Sequence, residues 1–136
     1  MTAVMKMLRA IPAIPVRDMD RSVEFYGDKL GFTLIHREDG FAIFRRDEAE
    51  IHLWAASDES WRKRAGGSPV VSGTESFIAG TASCRVEVEG IDELYRELRS
   101  LGILEPDALP REQWWGSREF HLKDPDGNLV TWFESD

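Results

Sequence analysis

One plan that occurs twice limits this chain more than any other feature. Glu24-Phe25-Tyr26, followed by Leu30-Gly31-Phe32, returns as Glu93-Leu94-Tyr95, followed by Leu101-Gly102-Ile103. In the first copy Val23, Tyr26 and Leu30 fall at i, i+3 and i+7, the stripe of an amphipathic helix. Asp18 is placed to cap that helix and Gly31 to end it in a left-handed residue. Ahead of it, Leu8–Val16 is apolar and interrupted by prolines, which suits an edge or exchanged strand. After it, Phe32–Arg37 and Phe41–Arg46 flank Glu38-Asp39-Gly40, whose Asp-Gly signals a hairpin. Asp47-Glu48 makes a further tight turn into a fourth strand, Glu50–Ala55.

The plan restarts with a strand at Thr81–Val88 and a helical stripe at Ile91, Leu94, Tyr95, Leu98 and Leu101. Asp92 and Glu93 suit the positive end of that helix, and Gly102 stops it. A short strand around Leu104 follows. Glu119–Lys123 and Leu129–Phe133 then pair across Asp124-Pro125-Asp126-Gly127, a turn with Pro and Gly where turns need them. Between the copies, Ala56–Gly80 carries Gly66-Gly67-Ser68-Pro69 and Ser72-Gly73 and reads as a linker and surface excursion.

The pattern predicts an α+β fold. One domain occupies 1–136, with βαβββ modules at about 8–55 and 81–134 and the linker at 56–80. One helix covers only one face of a four-stranded sheet, so the other face must meet the second sheet or a partner chain. Two cupped mixed sheets side by side leave a trough, where a site belongs.

Charge narrows the partners. Twenty-five acids against seventeen bases give a net charge of −8, with no block of Lys and Arg to neutralise phosphates. Nucleic acid is therefore not an expected partner. The same charge favours a cationic ligand, although acidity also serves solubility alone. No apolar run approaches the ~18 residues of a membrane span, so no membrane partner is expected. The prolines and charges after Met1–Arg9 leave no leader pattern, and the expected location is the cytoplasm. The single cysteine, Cys84, excludes an intrachain disulfide and reads as a small buried hydrophobe in its strand.

Nucleophile and phosphate motifs are missing: there is no Gly-x-Ser-x-Gly elbow and no Gly-x-x-x-x-Gly-Lys loop. The carboxylate pairs Glu38-Asp39 and Asp47-Glu48 sit at turns, where solvation explains them.

The run from Val16-Arg17-Asp18-Met19-Asp20 through Glu24-Phe25-Tyr26 to Leu30-Gly31-Phe32, together with Asp124-Pro125-Asp126-Gly127-Asn128, resembles the vicinal-oxygen-chelate (glyoxalase/bleomycin-resistance/dioxygenase) superfamily over about residues 8–134. That family contains both metalloenzymes and plain binders, so the fold alone does not fix the chemistry. The resemblance places the family's metal-ligand positions on Ile11, His52, Ser83 and Thr131, of which only His52 is a good ligand. A divalent cation needs three or four such donors, so no metal cofactor and no catalytic residue is assigned. One other cage stays open on the residues themselves. Glu119 and His121 alternate on one strand, and with His52 they would make a facial triad. The competing reading pairs Glu119 with Arg118, Arg85 or Lys123, and leaves His36 solvated.

Aromatic residues carry the alternative to metal chemistry. Trp114 and Trp115 are adjacent, so both cannot enter a core from one strand, and at least one is exposed or lines a cleft. Trp54 shares parity with His52 and therefore the trough face, Trp132 has the parity of packing under a helix, and Trp61 lies in the excursion. Flat rings beside acids suit a planar, cationic ligand. Gln113-Trp114-Trp115-Gly116-Ser117-Arg118-Glu119-Phe120 is similar to the Trp-Gly-Arg-Glu-Phe stretch of the bleomycin-binding resistance subgroup. In that subgroup two protomers form two crevices, and the drug's bithiazole lies between aromatic side chains. The resemblance puts the third-strand aromatic on Phe41 and the clamp tryptophan on Trp115. It puts Arg85 where some members carry a further tryptophan, which sets a positive charge against a cationic ligand. Trp61-Arg62-Lys63-Arg64 adds a local basic cluster. Pro12 matches the family's proline where the N-terminal arm crosses, implying a homodimer with Met1–Ile11 exchanged.

The function these observations imply is non-catalytic sequestration of a bleomycin-type glycopeptide antibiotic, with Phe41, His52, Trp54, Arg85, Trp114, Trp115 and Glu119 as the ligand-binding set. The competing readings are a binder of another planar metabolite, and a metal-dependent lyase, isomerase or dioxygenase on the same scaffold.

Overall fold

Two four-stranded sheets with the same strand order frame the described residues. The structure is a computed structural model and describes residues 3–56 and 78–136. The Trp61–Arg64 cluster and most of the 56–80 excursion lie outside the described residues. In the first module, strand β1 (Ala13–Val16) leads into helix α1 (Met19–Glu24), then β2 (Thr33–Glu38), β3 (Phe41–Arg46) and β4 (Ala49–Ala55). In the second, β5 (Ser83–Glu87) leads into α2 (Ile91–Ser100), then β6 (Arg111–Glu112), β7 (Ser117–Lys123) and β8 (Leu129–Ser135). The sheets run β1-β4-β3-β2 and β5-β8-β7-β6, each with its first strand parallel to its last and the others antiparallel. The repeat in the sequence is therefore a repeat in topology, strand for strand.

Local chemistry sets the element ends. The Asp18 carboxylate accepts from the Arg21 amide at 3.2 Å and caps α1. Beyond Glu24 the coil widens by one residue per turn through Phe25–Lys29, closed by the Leu30 amide on the Phe25 carbonyl at 3.0 Å. Gly31, at φ 74°, ends it. The wider turn shifts the buried face to Met19, Ser22, Tyr26 and Leu30, and leaves Val23 half-buried. Helix α2 begins at Gly90, which has no side chain to cap it, and the Glu134 carboxylate of β8 takes over. It accepts from the Gly90 amide at 3.0 Å and the Ile91 amide at 3.2 Å, placing negative charge at the positive helix end. Glu134→Ala is expected to cost about 1–2 kcal/mol in a urea melt, the usual range for a lost N-terminal cap. Glu134→Gln is expected to cost less.

The strand expected around Leu104 is absent. Ile103 and Leu104 pack half-buried against the core, and Glu105-Pro106-Asp107 turns the chain, with Ala108 donating to the Glu105 carbonyl at 3.0 Å. Pro106 and Pro110 cannot donate to a ladder, so pairing with β7 is confined to Arg111 and Glu112.

Both modules share one core. Tyr26, Phe44 and Leu53 from the first and Leu98, Phe120, Val130 and Trp132 from the second are all buried in it. Trp132 stacks on Phe120 at 5.4 Å between centroids, as its parity implied. Cys84 is buried there, and burial, with a smaller effect of nearby Asp124, pushes its thiol up to about 11. That suits a packing role rather than a nucleophile.

The modules are fastened by the turn between β7 and β8. Asn128, fully buried, donates to the Pro15 carbonyl at 2.8 Å and to Asp124 at 2.9 Å. Its own carbonyl oxygen accepts from the Gly80 and Ala82 amides at 3.0 and 3.1 Å. Asp124 also accepts from the Tyr26 hydroxyl at 3.0 Å, and burial first, then this carboxylate, raises the Tyr26 phenol well above its ordinary value. On the far side of the junction Arg46 makes a bidentate pair with Glu97 at 2.8 and 2.9 Å.

Candidate functional site

Each sheet turns one face to its helix and leaves the other open, and alternation along the strands decides which side chains line the open face. On the first sheet, Phe41 stands opposite Trp54, Ile43 opposite His52 and Arg45 opposite Glu50. The Phe41 and Trp54 rings lie 4.3 Å apart at 44°, and His52 meets the edge of Phe41 at 5.3 Å and 87°. All three are half-buried. Glu50 anchors the lower end of this wall: its carboxylate contacts His52 Nε2 at 2.8 Å and accepts from Arg45 at 2.9 Å. Its carboxyl is held below the usual carboxylate range, by Arg45 first and His52 next. His52 and Trp54, read from parity as one face, are thus brought together with Phe41, which the resemblance supplied. Glu50 was missed, although Glu50-x-His52-x-Trp54 shows the alternation that would have found it.

The open face of the second sheet carries a different construction, centred on Glu119. Arg85 reaches across with its two terminal guanidinium nitrogens, at 3.0 Å to Oε1 and 2.6 Å to Oε2. Trp115 donates its indole N–H to the same Oε2 at 2.9 Å, and the Ser117 hydroxyl donates to it as well. The other side of Arg85 is covered by Phe133, whose ring centroid lies 4.5 Å from the guanidinium carbon. Glu119 is 8% exposed, whereas Trp115 is 50% and Trp114 91% exposed, with their rings edge-to-face at 5.3 Å. Of the partners considered for Glu119, the structure selects Arg85; Arg118 instead pairs with Asp92 on the helix side. Ser117 and Phe133 were not singled out from the sequence. Their signal was positional: Ser117 shares the parity of Glu119, and Phe133 is opposite Glu119 in the ladder.

Those hydrogen bonds, led by Arg85 and joined by Ser117 and Trp115, outweigh burial and bring the Glu119 carboxyl down from 4.5 to about 2. A depressed carboxyl adds stability that is complete above about pH 4.5 and is lost as pH falls towards 2. The stability gap between the wild type and Glu119→Gln is therefore expected to shrink steadily over that window in denaturant melts. A gap that stays constant down to pH 2.5 would remove the charged pairing from the account.

Two findings bear on the expected residues. First, among the described residues Phe41, His52 and Trp54 share no hydrogen bond or ring contact with Trp115 and Glu119. The cleft between the modules has a volume of about 960 Å³ and is lined by Arg46, Glu50, Glu93, Glu97 and Glu134. Arg85 alone of the seven expected ligand-binding residues reaches it. Second, the cage of His52, Glu119 and His121 is not assembled. His52 belongs to the first sheet and is engaged by Glu50, while Glu119 is saturated by Arg85, Ser117 and Trp115. Among the described residues no three His, Cys, Asp or Glu side chains converge as a metal site would require. The family's ligand positions do not fit a divalent ion either, since Ile11 offers no donor and Ser83 and Thr131 only hydroxyls.

Comparison with known proteins bears on the family and the fold. The sequence pattern of the "Glyoxalase/Bleomycin resistance protein/Dioxygenase superfamily" matches residues 9–131. Over 128 residues the chain is 59% identical to the bleomycin resistance protein of Geobacillus stearothermophilus, covering 94% of this chain and 97% of that one. It is 30% identical to the bleomycin resistance protein of Klebsiella pneumoniae, covering 90% of this chain and 88% of the relative. The fold superposes with a TM-score of 0.74 on the bleomycin-binding protein of Streptomyces verticillus complexed with copper(II)-bleomycin, at 25% identity, over 98% of this chain and 100% of that one. A bleomycin-binding protein complexed with bleomycin gives a TM-score of 0.70 at 27% identity, over 96% of this chain and 100% of that one. By sequence and by fold, the chain belongs to the glyoxalase/bleomycin resistance/dioxygenase superfamily.

Proposed function

We propose that this protein binds and sequesters a bleomycin-type glycopeptide antibiotic without changing it chemically, and that it does so in the cytoplasm. The observation that carries the reading is the pair of ring-bearing walls. Phe41 and Trp54 stand on one open face and a hydrogen-bonded, half-exposed Trp115 on the other. Rigid aromatics whose polar tips are satisfied by the protein grip flat ring systems at little entropic cost. The 59% identity to bleomycin resistance proteins supports the choice of ligand.

The cleft between the modules meets Arg85 but neither Phe41, Trp54 nor Trp115, and in this reading two copies complete the crevices, each contributing one wall. The arm supports such a dimer. Val4, Met5, Met7 and Leu8 are all more than 80% exposed, an apolar surface that suits burial against a second copy. The net charge of −8 draws a cationic drug towards the molecule.

Tryptophan fluorescence tests the reading. Titration with bleomycin is expected to quench emission in a saturable way at micromolar drug or below. An unrelated planar dye of the same charge is expected to quench far less. An emission unaltered by micromolar drug would refute binding of bleomycin by this fold.

A further inference from the structure

We propose that Glu119 is a positioning residue of the ligand wall: its carboxylate aims the Trp115 indole and cancels the charge of Arg85, so that a guanidinium plane serves as part of a platform for a cationic, flat-ringed ligand. The inference rests on the functional reading above and specifies how one wall is built.

The geometry supports it at each point. An arginine facing a cationic guest is repulsive unless its charge is met locally. Here its Nη1 and Nη2 groups each donate to one oxygen of the same carboxylate, at 3.0 and 2.6 Å. Phe133 covers one face of the guanidinium at 4.5 Å, and the side chain remains about half exposed. Such a neutralised, fixed plane stacks on a ring much as an aromatic side chain does. The same carboxylate oxygen that receives Arg85 Nη2 receives the Trp115 indole at 2.9 Å, which fixes the tilt of the ring. Glu119 itself, with its side chain 8% exposed, is too enclosed to reach a ligand cation. Its influence on binding therefore passes through Arg85 and Trp115. The positive charge that the sequence set against a cationic ligand is thereby cancelled.

A double-mutant cycle separates positioning from general structural support. Glu119→Gln keeps the shape and one acceptor but leaves Arg85 as a bare cation. Bleomycin affinity is expected to fall about tenfold at low salt and by less at ~0.5 M salt, where like-charge repulsion is screened. Adding Arg85→Met removes the stranded charge and keeps the stem on Phe133, so the double variant is expected to bind several-fold more tightly than Glu119→Gln alone. A structural defect would not be repaired by a second substitution. Wild-type affinity in Glu119→Gln, or a double variant no better than the single, would overturn the proposal. The indole N–H resonance of Trp115 provides a readout without drug. It is expected to move and lose exchange protection in Glu119→Gln and to persist in Arg85→Met; an unmoved resonance in Glu119→Gln would also overturn the proposal. If the wild type failed to bind bleomycin, the functional reading would fall while the indole measurement still decided whether Glu119 positions Trp115.

Discussion

Asn128→Ala is expected to lower stability by about 4 kcal/mol, the largest effect of any single polar substitution in this fold. Four partners lose the Asn128 side chain at once: the Gly80 and Ala82 amides, the Pro15 carbonyl and the Asp124 carboxylate. A buried group left without its hydrogen bond costs about 1–3 kcal/mol, and these sit where Asn128 is 0% exposed. Because the side chain spans from the β7–β8 turn to the end of β1, the loss loosens one module from the other. In a chain of this size the melting temperature should fall by more than ~10 °C. Asn128→Asp should do no better, since it cannot donate to Pro15 and sets a second negative charge beside Asp124. A melting temperature within ~3 °C of wild type would show that the fastening lies elsewhere.

The second large effect is on binding. Trp115→Ala is expected to weaken bleomycin about 30-fold, corresponding to ~2 kcal/mol for an interface tryptophan. Trp115 is half exposed in the isolated chain, so its removal leaves no cavity in the core, and stability should change little. Calorimetric titration of the variant beside the wild type measures the affinity, and a thermal melt separates lost binding from lost folding. Trp115→Phe should recover part of the affinity, because a ring returns, but not the hydrogen bond to Glu119. Equal affinity in Trp115→Ala would mean that the second sheet's wall does not meet the ligand.

Much of the architecture was readable from periodicity and punctuation. Of the stripe of Ile91, Leu94, Tyr95, Leu98 and Leu101, the first four lie in α2, with Ile91 and Leu98 buried and the other two half-buried, whereas Leu101 follows the last turn and is exposed. The Asp-Gly and Asp-Pro-Asp-Gly signals do fall between paired strands, β2 with β3 and β7 with β8. These features are local, and local chemistry writes itself into sequence. What was less legible depends on long-range geometry. The strand set around Leu104 failed because an apolar pair next to Pro106 can pack as coil, and no partner strand is visible in one dimension.

The site divides the same way. Parity alone put His52 and Trp54 on one face, and the structure places them on one wall. Parity cannot say how two sheets stand to one another, so it left open whether Trp54 and Trp115 face one another within one chain or between two. Parity does exclude Arg118 as the partner of Glu119, since neighbours in a strand face opposite sides, but it cannot show that Arg85 crosses from β5 to meet it. The cap that Glu134 places on α2 was equally hidden, since it is 44 residues from Gly90.

The central claim is that the ligand is held by ring walls and charge, with no bond made or broken. Incubating excess protein with bleomycin, denaturing the complex and measuring the mass and DNA-cleaving activity of the released drug tests it most directly. The account predicts that the drug is protected while bound and returns with unchanged mass and full activity. Drug that never associates, or that comes back with an altered mass, would contradict it.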